Sequence, residues 1–69
     1  MTVNLQVNGE ARDLSAATVA DLLRAEGLDP ARRGIAVALN GRVVRRGDWP
    51  TTPLSPGDEV EIVKPFAGG

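Results

Sequence analysis

The sequence predicts an α+β domain in which a mixed sheet of about five strands wraps around a single helix. Three observations carry this expectation. Five short stretches have strand chemistry, only one stretch has a helical period, and the chain is 69 residues long. A chain of that length buries only about 60% of its unfolded surface, so one small core must serve every element. One helix covers one face of the sheet and leaves the other open.

Val3, Leu5 and Val7 alternate with Asn4 and Gln6, the period-two pattern of a strand with one buried face. Asn8-Gly9 follows, a strong hairpin signal because a type I′ turn needs positive φ at both central residues. Residues 10–14 form a weakly apolar second strand, expected at or near a sheet edge. Residues 15–27 read as the helix. Thr18 with Asp21 three residues on resembles a capping box, and Ser15 is an alternative, earlier cap. Val19, Leu22, Leu23 and Ala25 lie toward one face, with Asp21, Arg24 and Glu26 solvated. Gly27 supplies the stop, and Leu28 folds back as its hydrophobic contact.

A polar connection over 29–34 leads to a third strand, where Ile35, Val37 and Leu39 alternate with Ala36, Ala38 and Asn40. Asn40-Gly41 repeats the hairpin signal, and 42–46 is a short fourth strand. Residues 47–56 are expected to be irregular, with Trp49 packed beneath them as a core plug. Ser55-Pro56-Gly57-Asp58 fits a type II turn, with Pro at i+1 and Gly at i+2. The last strand, 58–64, turns Val60 and Ile62 inward and Glu59, Glu61 and Val63 outward. A sheet curled around one helix in this order is the β-grasp, ubiquitin-like fold. The last strand then lies centrally, beside the first. The domain is expected to span 1–66, followed by a flexible tail, Ala67-Gly68-Gly69.

The composition narrows the chemistry. Net charge is −1, against the basic excess usual in nucleic-acid modules. The pairs Arg32-Arg33 and Arg45-Arg46 read as solvated loops. Asp13, Asp48 and Asp58 read as turn residues rather than metal ligands. With no cysteine there is no disulfide, thiolate metal site or cysteine nucleophile, and with no histidine the commonest general base is missing. The first seven residues lack the basic start and continuous apolar run of a signal peptide. No segment has transmembrane length. A cytoplasmic location without membrane or nucleic-acid partners is expected. So is the absence of a self-contained enzyme pocket, and no bound cofactor is expected.

Two consecutive glycines at 68 and 69 have no folding role. Lacking Cβ atoms, they make a thin, unhindered approach to the Gly69 carboxylate, suited to threading into another protein's active site. Extended, residues 64–69 reach roughly 17 Å at about 3.3–3.6 Å per residue. Pro65 has no donor and should end sheet pairing.

Several pieces of the chain together resemble the ThiS family of sulfur carriers. They are Val7-Asn8-Gly9-Glu10, Thr18-Val19-Ala20-Asp21-Leu22-Leu23, and Ile35 through Gly41. They continue with Val43-Val44-Arg45-Arg46-Gly47-Asp48-Trp49, Pro56 through Val63, and the closing Ala67-Gly68-Gly69. MoaD, the small subunit of molybdopterin synthase, shares the fold and the Gly-Gly end, and Pro65 is familiar from its tails. Arg46-Gly47-Asp48-Trp49 favours ThiS. The resemblance implies a covalent carrier, not an enzyme. A ThiF-like adenylyltransferase would activate Gly69 with MgATP, a persulfide donor would convert it to a thiocarboxylate, and ThiG-like thiazole synthase would receive the sulfur. Molybdopterin and tRNA-thiolation acceptors are alternatives within the group. A ubiquitin-like binding or conjugating module is an alternative of another class.

Docking is expected on the sheet face opposite the helix. Val63 and Phe66 are candidate anchors there, or else pack locally. Glu59 and Glu61 either pair with basic groups of a partner or form an ordinary solvated strand face.

Overall fold

The computed structural model describes residues 2–64. Five strands and one α-helix follow one another as β1 Val3–Val7, β2 Glu10–Leu14, α1 Val19–Ala25, β3 Ala36–Leu39, β4 Arg42–Val44 and β5 Glu59–Val63. A 3-10 helix, Arg46–Thr51, lies between β4 and β5. The sheet order is β2-β1-β5-β3-β4. β1 and β5 are parallel, and the other neighbours are antiparallel. This is the β-grasp arrangement, with β2 at an edge and β5 in the centre as its sequence pattern predicts.

Alternation decides which side of the sheet is covered. Leu5 and Val7 of β1, Val37 of β3, and Val60 and Ile62 of β5 are buried on the helix side. Val19, Ala20, Leu22 and Leu23 of α1 meet them, and Ile35 and Trp49 complete the core. Ala20 takes the place expected of Ala25, which is exposed. The helix is rotated so that 19, 20, 22 and 23 face the sheet, a choice its own sequence does not dictate.

The helix is also shorter than 15–27. Thr18 caps it: its hydroxyl accepts from the Asp21 amide at 3.3 Å, and the Asp21 carboxylate accepts from the Thr18 amide at 3.2 Å. Residues upstream are bonded elsewhere. The Ala17 carbonyl accepts from Leu54, and the Val19 amide donates to Thr52. At the other end Leu28 donates to the Leu23 carbonyl and Gly27 to Arg24, a Schellman closure with Gly27 at φ +79°. Leu28 packs against the core.

Asp21 is the one acid whose titration the cap visibly moves. The Ala17 amide foremost holds its carboxyl below the ordinary 3.8; desolvation opposes it, and the Thr18 amide, the Thr18 hydroxyl and the Arg24 charge add to the lowering. Folding therefore favours the ionised form. The resulting stabilisation is complete above the ordinary value and is lost as pH falls through the lowered one. Asp21→Asn should melt below the wild type at neutral pH. The gap should close as pH drops beneath 3.8 in paired thermal scans.

Both Asn-Gly turns form as predicted, with φ of 50° at Asn8 and Asn40 and 83° at Gly9 and Gly41. Their side chains have a second role. The β1–β5 ladder runs through Gln6 and Asn8 amides to the Asp58 and Val60 carbonyls. Asn8 then extends it by one rung with its side-chain amide. Its Oδ1 accepts from the Ile62 amide at 2.7 Å, and its Nδ2 donates to the Ile62 carbonyl at 3.2 Å. Asn40 holds the start of β5 in the same way. Its Oδ1 accepts from the Glu59 amide, and its Nδ2 donates to the Asp58 carboxylate. The central strand is thus pinned at both ends. Asn8→Gly keeps the positive φ and loses both side-chain bonds, so it should cost about 1–3 kcal/mol in urea titration. Amide exchange at Ile62 should accelerate most.

Candidate functional site

The uncovered sheet face collects the residues expected to dock a partner. On β5, Glu59, Glu61 and Val63 point away from the core, and all three are exposed. Val63 is 62% exposed. Its side chain faces outward, as its place in the strand predicts. Phe66, Ala67, Gly68 and Gly69 lie outside the described residues, as does Pro65.

Cross-strand register shows what stands beside them. Ala36 is opposite Val63, Ala38 is opposite Glu61, and Val43 is opposite Ala38. Paired residues share a face, so Ala36, Ala38 and Val43 join Val63 on the open side. Val43 is 82% exposed, the most exposed large apolar side chain among the described residues. These residues and Glu61 line a shallow depression of ≈ 160 Å³. That is below the roughly 300–1,000 Å³ of small-molecule sites and suits a single anchoring side chain. Ala36, Ala38 and Val43 were not singled out from sequence. The available signal was Val43-Val44: on a strand only one of the pair can face the core.

Glu59 and Glu61 border this patch, and neither takes part in the two ion pairs among the described residues, Arg12–Glu26 and Arg24–Asp21. Asp58 is a turn residue as expected, its carboxylate accepting from the Ser55 amide at 2.7 Å. Asp13 instead lies within β2 and accepts from Asn4 across the strand pair. Arg46 is exposed, as the solvated-loop reading expects, but it is also engaged. Its guanidinium lies 4.6 Å from the Trp49 ring centroid and donates to the Pro30 and Arg32 carbonyls. No helix among the described residues is long and apolar enough to cross a membrane.

The face presents four small apolar side chains and two carboxylates that make no ion pair among the described residues.

The family model of the ThiS family matches residues 5–69. The sulfur carrier protein ThiS of Thermus thermophilus is 36% identical over 63 residues, which cover 91% of this chain and 95% of that protein. A crystal structure of the thiamine biosynthesis protein ThiS from Geobacter metallireducens superposes with a TM-score of 0.73. It has 32% identity and covers 97% of this chain and 100% of that one. A solution structure of a thiamine biosynthesis protein from the same organism gives a TM-score of 0.77 at 33% identity, over 97% and 88% of the two chains.

Proposed function

The chain belongs to the ThiS family, and from that membership we propose that it carries its sulfur as a thiocarboxylate on Gly69. It is a sulfur carrier protein of thiamin biosynthesis. The observation that supports Gly69 as the carrier site is the family match, which continues past β5 through residue 69.

The chemistry follows from the carboxyl group. An α-carboxyl has a pKa of about 3.3–3.7, so it is ionised at neutral pH and is a poor electrophile. Activation comes from a partner resembling ThiF. A Gly69 carboxylate oxygen attacks the α-phosphorus of MgATP, and pyrophosphate leaves. The terminal sulfur of a persulfide then attacks the acyl carbon, and AMP leaves. Cleavage of the sulfur–sulfur bond by a thiol frees the thiocarboxylate, which passes its sulfur to a thiazole synthase resembling ThiG. The folded domain supplies the grip. Val63, Phe66, Ala36, Ala38 and Val43 offer apolar contact, while Glu59 and Glu61 attract basic groups and raise the encounter rate.

Intact mass after incubation with the adenylyltransferase, MgATP and a persulfide donor tests this reading. A gain of one oxygen-to-sulfur exchange is expected. An unchanged mass, or a chain joined to lysines of other proteins, overturns it. Growth of a deletion strain with and without thiamin identifies the pathway served.

A further inference from the structure

The end of the sheet at which β5 finishes is ringed by cations. Ala36 lies opposite Val63, so the start of β3 is beside the end of β5. Val37 lies opposite Val44, so the end of β4 is there as well. Arg32 and Arg33 precede β3, Arg45 and Arg46 follow β4, and Lys64 follows β5. These are five of the eight basic residues of the chain. Asp29 and Asp48 share the same loops, and the Asp29 carboxylate is engaged with the Ala31 amide. The end is therefore basic on a chain whose net charge is −1.

Arg46, exposed like its neighbours, also organises this rim. By donating to the Pro30 and Arg32 carbonyls while lying over Trp49, it ties the 29–34 connection to the end of β4. The backbone of Arg32 is thereby fastened to Arg46, the chain neighbour of Arg45. Arg45 has extended backbone, φ −64° and ψ 144°, directly after Val44. The alternation that turns Val43 outward and Val44 inward turns Arg45 outward again. Arg32, Arg33 and Arg45 are exposed, and none takes part in an ion pair among the described residues.

We infer that Arg32, Arg33 and Arg45 form a docking rim for an acidic surface on the protein that takes up the C-terminus. The inference rests on the proposed function for the identity of that protein. Ala36 and Val63 of the apolar patch stand at this end of the sheet, Glu61 lies mid-strand beside that patch, and Glu59 lies at the opposite end of β5. Cations therefore gather at the end of the sheet where β5 finishes, and Glu59 stands at the other end of that strand. A partner with acidic groups over the rim and basic groups over Glu59 and Glu61 is accepted in one orientation only. Nucleic acid fits less well, because the lone Trp is buried and offers no stacking platform.

The test uses the full chain carrying R32E, R33E and R45E together, with Arg46 untouched. Association with the same organism's ThiF-like adenylyltransferase is measured without nucleotide across a salt series, and pyrophosphate release with MgATP is followed in parallel. The wild type should associate more slowly as salt rises. The triple variant should associate at least about ten-fold more slowly at low salt with a flattened salt dependence, and its dissociation rate should change far less. Arg45→Gln, whose side chain makes no hydrogen bond among the described residues, should move the same way by less. Wild-type association and salt slope in both variants overturn the rim. So does loss of binding to a labelled single-stranded RNA while enzyme binding is unchanged. Rim-dependent binding without pyrophosphate release instead overturns the proposed adenylation and leaves the rim standing.

Discussion

Deleting Gly69 is expected to abolish thiocarboxylate formation and to leave the melting temperature unchanged. The new terminus, Gly68, is chemically the same group, an unhindered glycine carboxylate. What changes is reach. The carboxylate falls short by one residue, about 3.3–3.6 Å. A misplacement of about 1 Å at a reacting centre already costs roughly 10²-fold, so a whole-residue shortfall removes the reaction. Stability should be indifferent, because among the described residues the core is assembled within 3–62. Binding to the adenylyltransferase without nucleotide should persist, since the sheet face is intact. The separation of the two readouts matters. A purely recognising module would lose nothing, whereas a carrier loses its chemistry and keeps its grip. Intact mass detects the missing sulfur. A deletion variant that still gains it, or a strain carrying that variant that still grows without thiamin, overturns the assignment of Gly69.

Where the governing interaction is local, the sequence is readable. Alternation in β1 and β5 places Leu5, Val7, Val60 and Ile62 inward and Glu59, Glu61 and Val63 outward. Asn-Gly pairs mark both hairpins, and the Thr18–Asp21 box and Gly27 bracket the helix. Long-range effects escape this reading. Asn8 meets Ile62 across 54 positions, and neither residue announces the other. Arg46 looks like one more loop cation until the fold brings the Pro30 and Arg32 carbonyls and the Trp49 ring to it. The 3-10 turn at Arg46–Thr51 has no periodic signature, and Pro50 within it argues locally for irregular chain. What imposes it is the need to bring Trp49 under the sheet. The open face follows the same division. The outward side of β5 is visible in its own alternation, but Val43 joins it only through the register with Ala38.

Trp49→Ala is expected to leave the chain largely unfolded at 37 °C. Trp49 is 2% exposed and is the largest side chain of the core. Its indole Nε1 donates to the Val44 carbonyl at 2.9 Å, which ties the 3-10 turn back to β4. Truncating a buried Trp costs about 3–5 kcal/mol in lost transfer energy and cavity. At roughly 0.05–0.15 kcal/mol per residue, a domain of this size holds only about 3–10 kcal/mol in all. The two ranges overlap, so one side chain accounts for much of the total. Burial is the larger share. The Arg46 contact over the ring is an exposed cation–π pair, worth about 0.5–1 kcal/mol, and the indole hydrogen bond about 0.5–1.5 kcal/mol. Trp49→Phe separates these, since it keeps most of the apolar bulk and loses the Val44 bond. It should stay folded at reduced stability. Far-ultraviolet circular dichroism under urea measures both variants without relying on Trp emission. If Trp49→Ala retained a wild-type midpoint, the core would have to be held by the sheet and α1 alone. The coupling from Val44 through Trp49 and Arg46 to the basic rim would then carry no structural weight.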